Sequence, residues 1–266
     1  MNIMYDELSW PEAKEILPNV RGVIIPLGSI EEHGYHLPLC VDNSLGLEMS
    51  KQIANKTQCL MLPIMPYGRV WSTKGFPGTI SLSEDTLVDV IIDISTSLIR
   101  HGVKNIIYHS GHLGNSPAMK KAARIIFDKY EYKNIYYFSY TDYKKLSEGI
   151  LTAPMWKGDG MHAAELETSM MLSVKPELVH LEKAVVEYPE DTWTMDYSCV
   201  PWEKYTKTGA PGDPTVSTKE KGDELIKRLV DRMSDLINQL IERNEENVYG
   251  ACSLWQWNGI KCIDRY

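Results

Sequence analysis

What most constrains this chain is an alternation: short strand-like runs, each leading through a loop into a stretch with helical spacing, recur through its first half. Arg21–Leu27 and Cys59–Met65 are apolar runs of the length expected for strands covered on both faces. Lys104–Tyr108 and the aromatic Asn134–Ser139 read as further strands. The helical patterns are Trp10–Leu17, with Pro11 at its first position, and Asn43 to about Asn55, with Asn43 as N-cap. A third, opened by a Ser81/Glu84 capping box, carries Leu87, Val90, Ile91, Ile94 and Leu98 and closes at His101-Gly102. Ser116–Lys129 is the fourth. This repetition predicts a mostly parallel sheet with helices on its faces, and ligands bind such sheets beyond the carboxyl ends of the strands.

The second half is less regular. His162–Leu172 reads as a helix, and Thr218–Glu245 as a long amphipathic one carrying Leu225, Leu229, Met233, Leu236, Ile237 and Leu240. Residues 182–213, with several prolines and tryptophans, read as an ordered excursion without assignable elements. The tail Cys252–Tyr266, holding Trp255 and Trp257, is too aromatic for a disordered end and is expected to pack on the body. No repeat, linker or low-complexity segment interrupts the chain, so residues 1–266 are expected to form one domain.

A net charge of −8 argues against a nucleic-acid partner, which needs a basic surface. The five cysteines form no CxxC pair, which suits a reducing compartment. Neither a signal peptide nor an apolar run near the ~18 residues of a membrane span is evident. A soluble, cytoplasmic protein acting on a small molecule is expected.

The chemistry is concentrated in Gly28–Asp42, directly after the apolar run Val23–Leu27. Glu31, Glu32, His33, His36 and Asp42 crowd into it. Carboxylates and imidazoles this dense at the end of a buried strand are costly unless a cation sits among them. Glu31 and His33, two apart, point the same way in an extended segment. Asp42 follows a tight excursion that can fold back, His112 comes from another strand end, and Glu167 from the later helix. Three carboxylates and two imidazoles suffice for two divalent ions if one carboxylate bridges, about 3.5–4 Å apart. His101 and His180 fit ordinary structural roles. His36 and His109 are candidates for orienting ligands, and Glu32 and Glu165 are supporting carboxylates or, more simply, structural ones.

These segments carry a resemblance. Pro26–Pro38 with Asp42, Phe76-Pro77-Gly78-Thr79, Gly111–Asn115, His162–Ser169 and Gly212-Asp213-Pro214-Thr215 occur in the order found in the creatininase (creatinine amidohydrolase) family, which the chain resembles from Val23 to Leu240. The resemblance implies a three-layer α/β/α sandwich and a binuclear centre, usually of zinc, sometimes of manganese or iron. It implies that Glu31, Asp42 and His112 hold one ion and His33, Asp42 and Glu167 the other, with Asp42 bridging. It also implies that a hydroxide held between the ions attacks a carbonyl, that His162 shuttles the proton, and that the chain forms a homohexamer. Three positions depart from creatininase: Leu113 and Gly114 stand where it has a tyrosine and a metal-serving glutamate, and Met161 where it has an acid. The expected activity is hydrolysis of a small cyclic amide or related C–N bond. The alternatives are ring-opening of an oxidised inositol, deformylation, or trimming of a precursor peptide at the same site. A catalytically silent assembly or binding protein is the reading from another class, and it predicts a missing ligand; none is missing.

Overall fold

The computed structural model describes residues 4–158 and 161–245. In chain order these form α1 (Trp10–Ile16), β1 (Val23–Leu27), α2 (Val41–Thr57), β2 (Leu60–Met61), α3 (Glu84–Arg100), β3 (Ile106–Ser110), α4 (Ser116–Tyr130), β4 (Ile135–Phe138), α5 (Tyr143–Leu146), α6 (Glu165–Val174) and α7 (Lys219–Glu245). The strands make one parallel sheet in the order β2-β1-β3-β4. From β1 the chain steps one way to β2, then back across β1 to β3 and on to β4. Right-handed crossovers in opposite directions place their helices on opposite faces. Accordingly α2 covers one face together with α6 and α7, and α3 and α4 cover the other.

The strand side chains divide by alternation. Ile24 and Ile107 pack toward α2, α6 and α7, while Val23, Ile25, Leu27, Ile106 and Tyr108 pack toward α3 and α4. On α7, Leu225, Leu229, Met233 and Ile237 are fully buried, each contributing about 2 kcal/mol of transfer free energy. The result is the parallel sheet with helices on its faces expected from the alternation, and the three-layer α/β/α sandwich that the resemblance implies.

Several boundaries differ from the sequence reading, each for a local reason. The second apolar run pairs only over Leu60–Met61, because the chain then bulges by one residue: Leu62 N bonds Ile24 O, but Met65 N, three residues on, bonds Pro26 O, and Met65 touches β1 again at Leu27. Helix α2 starts at Val41 rather than after Asn43, whose side-chain amide instead donates to Pro66 O at 3.2 Å. Helix α3 is capped by Ser83, whose Oγ accepts from Thr86 N at 3.1 Å; Ser81 Oγ instead accepts from Val70 N at 2.9 Å. Helix α6 starts at Glu165, leaving His162 in the turn before it. The 182–213 excursion contains short 3-10 turns closed by an antiparallel bridge between Glu187 and Gly212. The expected packing of the Cys252–Tyr266 tail lies outside the described residues. Among the described residues, no helix is long and apolar enough to cross a membrane.

Candidate metal centre

The register of the sheet sets up the site. Leu27 pairs with Ser110, so the segments after β1 and β3 leave the same edge side by side, and Gly111 N donates to Leu27 O at 2.9 Å. This is the point where the strand order reverses, the usual crevice of such sheets. The Gly28–Asp42 loop and the Gly111–Asn115 turn therefore meet there. Asp42 falls in the first turn of α2, where the helix dipole favours a negative charge. The first turn of α6 brings in Glu167.

All five sequence-predicted donors converge. His112 Nδ1 lies 2.9 Å from Glu31 Oε2 and 3.1 Å from Asp42 Oδ2. His33 Nε2 lies 3.4 Å from Asp42 Oδ1 and 3.5 Å from Glu167 Oε2. Two donor groups result, Glu31–Asp42–His112 and His33–Asp42–Glu167, sharing Asp42. A third combination, Glu31–His33–His162, is also within range of one ion.

Whether such residues suit a metal can be tested on their hydrogen bonds. His33 Nε2 and Glu31 Oε2 are buried and make no hydrogen bond among the described residues, although Glu31 Oε2 has a neighbour at 2.9 Å and His33 Nε2 has two within 3.5 Å. Groups that approach this closely without bonding one another are arranged around a common cation. The outer atoms of the donors are occupied. His33 Nδ1 is 3.1 Å from Glu31 O, and His112 Nε2 is 3.0 Å from Arg69 O. As donors to carbonyls, these nitrogens leave His33 Nε2 and His112 Nδ1 with lone pairs facing inward. Ser29 Oγ donates to Asp42 Oδ2, Thr73 Oγ1 to Glu31 Oε1, and Ala163 N to Glu167 Oε2 at 2.8 Å. The residues fit two divalent ions.

The charges agree. Burial disfavours ionisation of His33, but Asp42 and Glu167 outweigh it and raise its pKa well above the usual range. His112 is raised in the same way, against burial, by Glu31 and Asp42. Burial would push Asp42 up, yet His33 and His112 hold it well below the ordinary carboxylate range. The centre, with its three carboxylates, thus favours positive charge among them. Tyr140, buried just past β4, has its phenol pushed up by burial and then by Glu167, Asp42 and Glu31.

Above the donors is a cavity of about 210 Å³. Trp71, Leu113, Met161 and Trp202 supply its apolar walls, and among the described residues Arg69 is its one cationic side chain besides the histidines. Leu113, Gly114 and Met161, the positions of departure, all line it. The Trp202 backbone is drawn in by its N–H on Ser72 O at 2.7 Å. Its ring meets His162 edge-on at 5.3 Å, and His162 lies over His33 at 4.3 Å between centroids. Trp156 stands behind Trp202, with 5.7 Å between ring centroids.

Other expectations moved. His36 Nε2 bonds Thr168 Oγ1 at 2.8 Å, and His109 Nδ1 bonds Ser50 Oγ at 2.6 Å, so neither orients a candidate ligand directly. Glu165 is tied to Lys221 and the N–H groups of Thr152 and Ala153, a purely structural clamp. Trp202 was missed, as were the bonds that Thr73 and the Arg69 carbonyl make to the donors. Nothing local marks them: each acts through a contact between distant segments.

Comparison with known proteins places the geometry. The family model for creatininase, described as creatinine amidohydrolase, matches residues 6–237. Creatinine amidohydrolase of Pseudomonas putida is 29% identical over 260 residues, covering 90% of this chain and 97% of its own length. A 3-dehydro-scyllo-inosose hydrolase of Thermotoga maritima is 25% identical, covering 91% and 84%. A mycofactocin precursor peptide peptidase of Mycolicibacterium smegmatis is 25% identical, covering 85% and 88%. Among solved structures, a creatininase crystal structure superposes with a TM-score of 0.81 at 27% identity, covering 90% of this chain and 97% of that one. A zinc–zinc form of a creatininase mutant gives 0.81 at 26%, covering 92% and 98%. A manganese creatininase gives 0.79 at 26%, covering 92% and 99%.

Proposed function

The chain belongs to the creatininase family of metal-dependent hydrolases, and on that premise we propose that it hydrolyses a C–N bond of a small cyclic amide at a centre of two divalent ions. The observation that carries this reading is the pair of shared donor groups, Glu31–Asp42–His112 and His33–Asp42–Glu167, with His33 Nε2 and Glu31 Oε2 left unbonded. Zinc is the assigned metal, supported by the N/O donor set and by the zinc–zinc form of the similar structure. Manganese is the competing assignment. When bound, the two ions supply an acidified water and a positive charge for the carbonyl oxygen.

The remaining work belongs to the chain. His33 and His112 are held in fixed tautomers by the carbonyls of Glu31 and Arg69. Trp71, Trp202, Leu113 and Met161 enclose the carbonyl compound and exclude bulk water. His162, beside both donor groups, takes a proton from the attacking water and returns it to the leaving nitrogen. The reading extends to one domain working as a cytoplasmic homohexamer, supported by the family resemblance and, for the location, by the free thiols of Cys40, Cys59 and Cys199; light scattering tests the assembly.

The apolar replacements Leu113, Gly114 and Met161 favour a second reading. The same centre would then open an oxidised inositol ring, remove a formyl group or trim a peptide, as relatives of the first and last kinds are named for doing. The test is a panel of one cyclic amide, one inosose, one N-formyl compound and one short peptide, run on zinc-loaded and manganese-loaded protein. Turnover of the cyclic amide alone supports the first reading, and turnover of another member the second. Two full equivalents of metal in Asp42→Ala would remove the shared-carboxylate assignment.

A further inference from the structure

Glu32 is a buried carboxylate that belongs to neither donor group. Only 6% of it is exposed. Its Oε1 lies 3.1 Å from His162 Nε2, and its Oε2 accepts the N–H of Gly34 at 2.9 Å. Its own N–H donates to Thr79 Oγ1 at 3.0 Å, within the Phe76–Thr79 motif. Across from it stands Gly209, at φ +78°, where any Cβ would collide with Glu32 Oε2. That glycine is held in place by Glu187, whose carboxylate collects Thr206 Oγ1 at 2.7 Å and the N–H of Thr208 at 2.9 Å. Two loops are therefore shaped around this one carboxylate.

The chemistry of the contact is directional. An ionised carboxylate only accepts hydrogen bonds, so His162 Nε2 carries the hydrogen. In the neutral imidazole the lone pair is then on Nδ1. A ring nitrogen of His162 lies within 4.8 Å of donor atoms of Glu31 and His33, and with Nε2 bonded to Glu32 the nitrogen free to accept a proton is Nδ1. The ring cannot turn freely between His33 on one side and the edge of Trp202 on the other.

We infer that Glu32 is a positioning residue that holds His162 as the Nε2–H tautomer, leaving Nδ1 as the proton acceptor of the reaction. The inference rests on the reading of His162 as the proton-transferring group. The proton leaves the attacking water for Nδ1, the resulting imidazolium is balanced by the Glu32 carboxylate, and the same proton passes to the leaving nitrogen.

The test uses the zinc-loaded full chain labelled with 15N-histidine. Long-range 1H–15N spectra, with the His162 signals identified by their loss in His162→Ala, report the tautomer without any substrate. Nε2–H in the wild-type protein is expected, and Nδ1–H there would overturn the inference directly. Glu32→Gln keeps the shape. Its amide oxygen must still serve the Gly34 N–H, so its NH₂ faces His162 and drives the ring hydrogen to Nδ1. The expected result is a kcat lower by about 10²-fold with KM little changed, two equivalents of zinc retained, and partial recovery in Glu32→Asp. Unchanged tautomer and kcat in Glu32→Gln, beside an inactive His162→Ala, would sink this inference alone. A fully active His162→Ala would sink the reading beneath it.

Discussion

His112 Nε2 and the main-chain carbonyl of Arg69 are joined at 3.0 Å across 43 residues of sequence, and Gly114 is what leaves them room. A Cβ at position 114 would collide with His112 Nε2 and stand 2.6 Å from Arg69 O. The bond fixes which His112 nitrogen faces Glu31 and Asp42. Gly114→Ala is therefore expected to weaken one of two zinc ions by about 10–100-fold while the other holds. Zinc titration against a competing chelator measures both sites. Equal weakening at both would show that Gly114 acts on the whole fold instead.

Replacing His162 separates chemistry from metal binding. His162→Ala removes the proposed proton carrier but none of Glu31, His33, Asp42, His112 or Glu167. On whichever substrate of the panel turns over, kcat should fall by about 10²–10⁴-fold. Elemental analysis should still find two metal equivalents per chain. Loss of an ion would move His162 into the third donor combination, with Glu31 and His33.

Metal removal should be costly to stability. The empty donor groups keep buried like charges together, and an ion held at 100 times its dissociation constant adds about 2.7 kcal/mol. Scanning calorimetry with and without chelator should show Tm lower by at least about 5 °C on stripping. In Asp42→Ala the chelator should shift Tm far less, because both groups share that carboxylate.

Away from the centre, His109 sets a pH dependence. Burial lowers its pKa to about 4, against 6.5 in the unfolded chain. Between those values the unfolded state binds the extra proton, so the stability from this residue is complete above pH 6.5 and falls as the pH drops toward 4. At pH 5 the loss is about 2 kcal/mol. Urea unfolding of wild type and His109→Asn at pH 7.5 and 5 should show the mutant losing less on acidification. Equal losses would contradict the depressed value.

Glu32 and Asn43 show where local reading goes astray. Asn43 looks like an N-cap by type, yet α2 begins before it because its amide finds Pro66. Glu32 looks as eligible for a metal as Glu31, and only its partner shows otherwise. That partner, His162, is 130 residues away. Trp202 reaches the cavity wall through a bond to Ser72, from a stretch with no periodicity to read.

The residue order by itself determined the parallel sheet with helices on both faces, and it named the five donor-type side chains that converge in the fold. Hydrophobic periodicity and chemically distinctive side chains are local properties, so both can be read without coordinates. The tertiary structure decided which nitrogen of each histidine faces inward, which glutamate supports His162, and which residues wall the cavity. These depend on strand register, Leu27 beside Ser110, and on hydrogen bonds between distant loops, whose geometry exists only once the chain has folded.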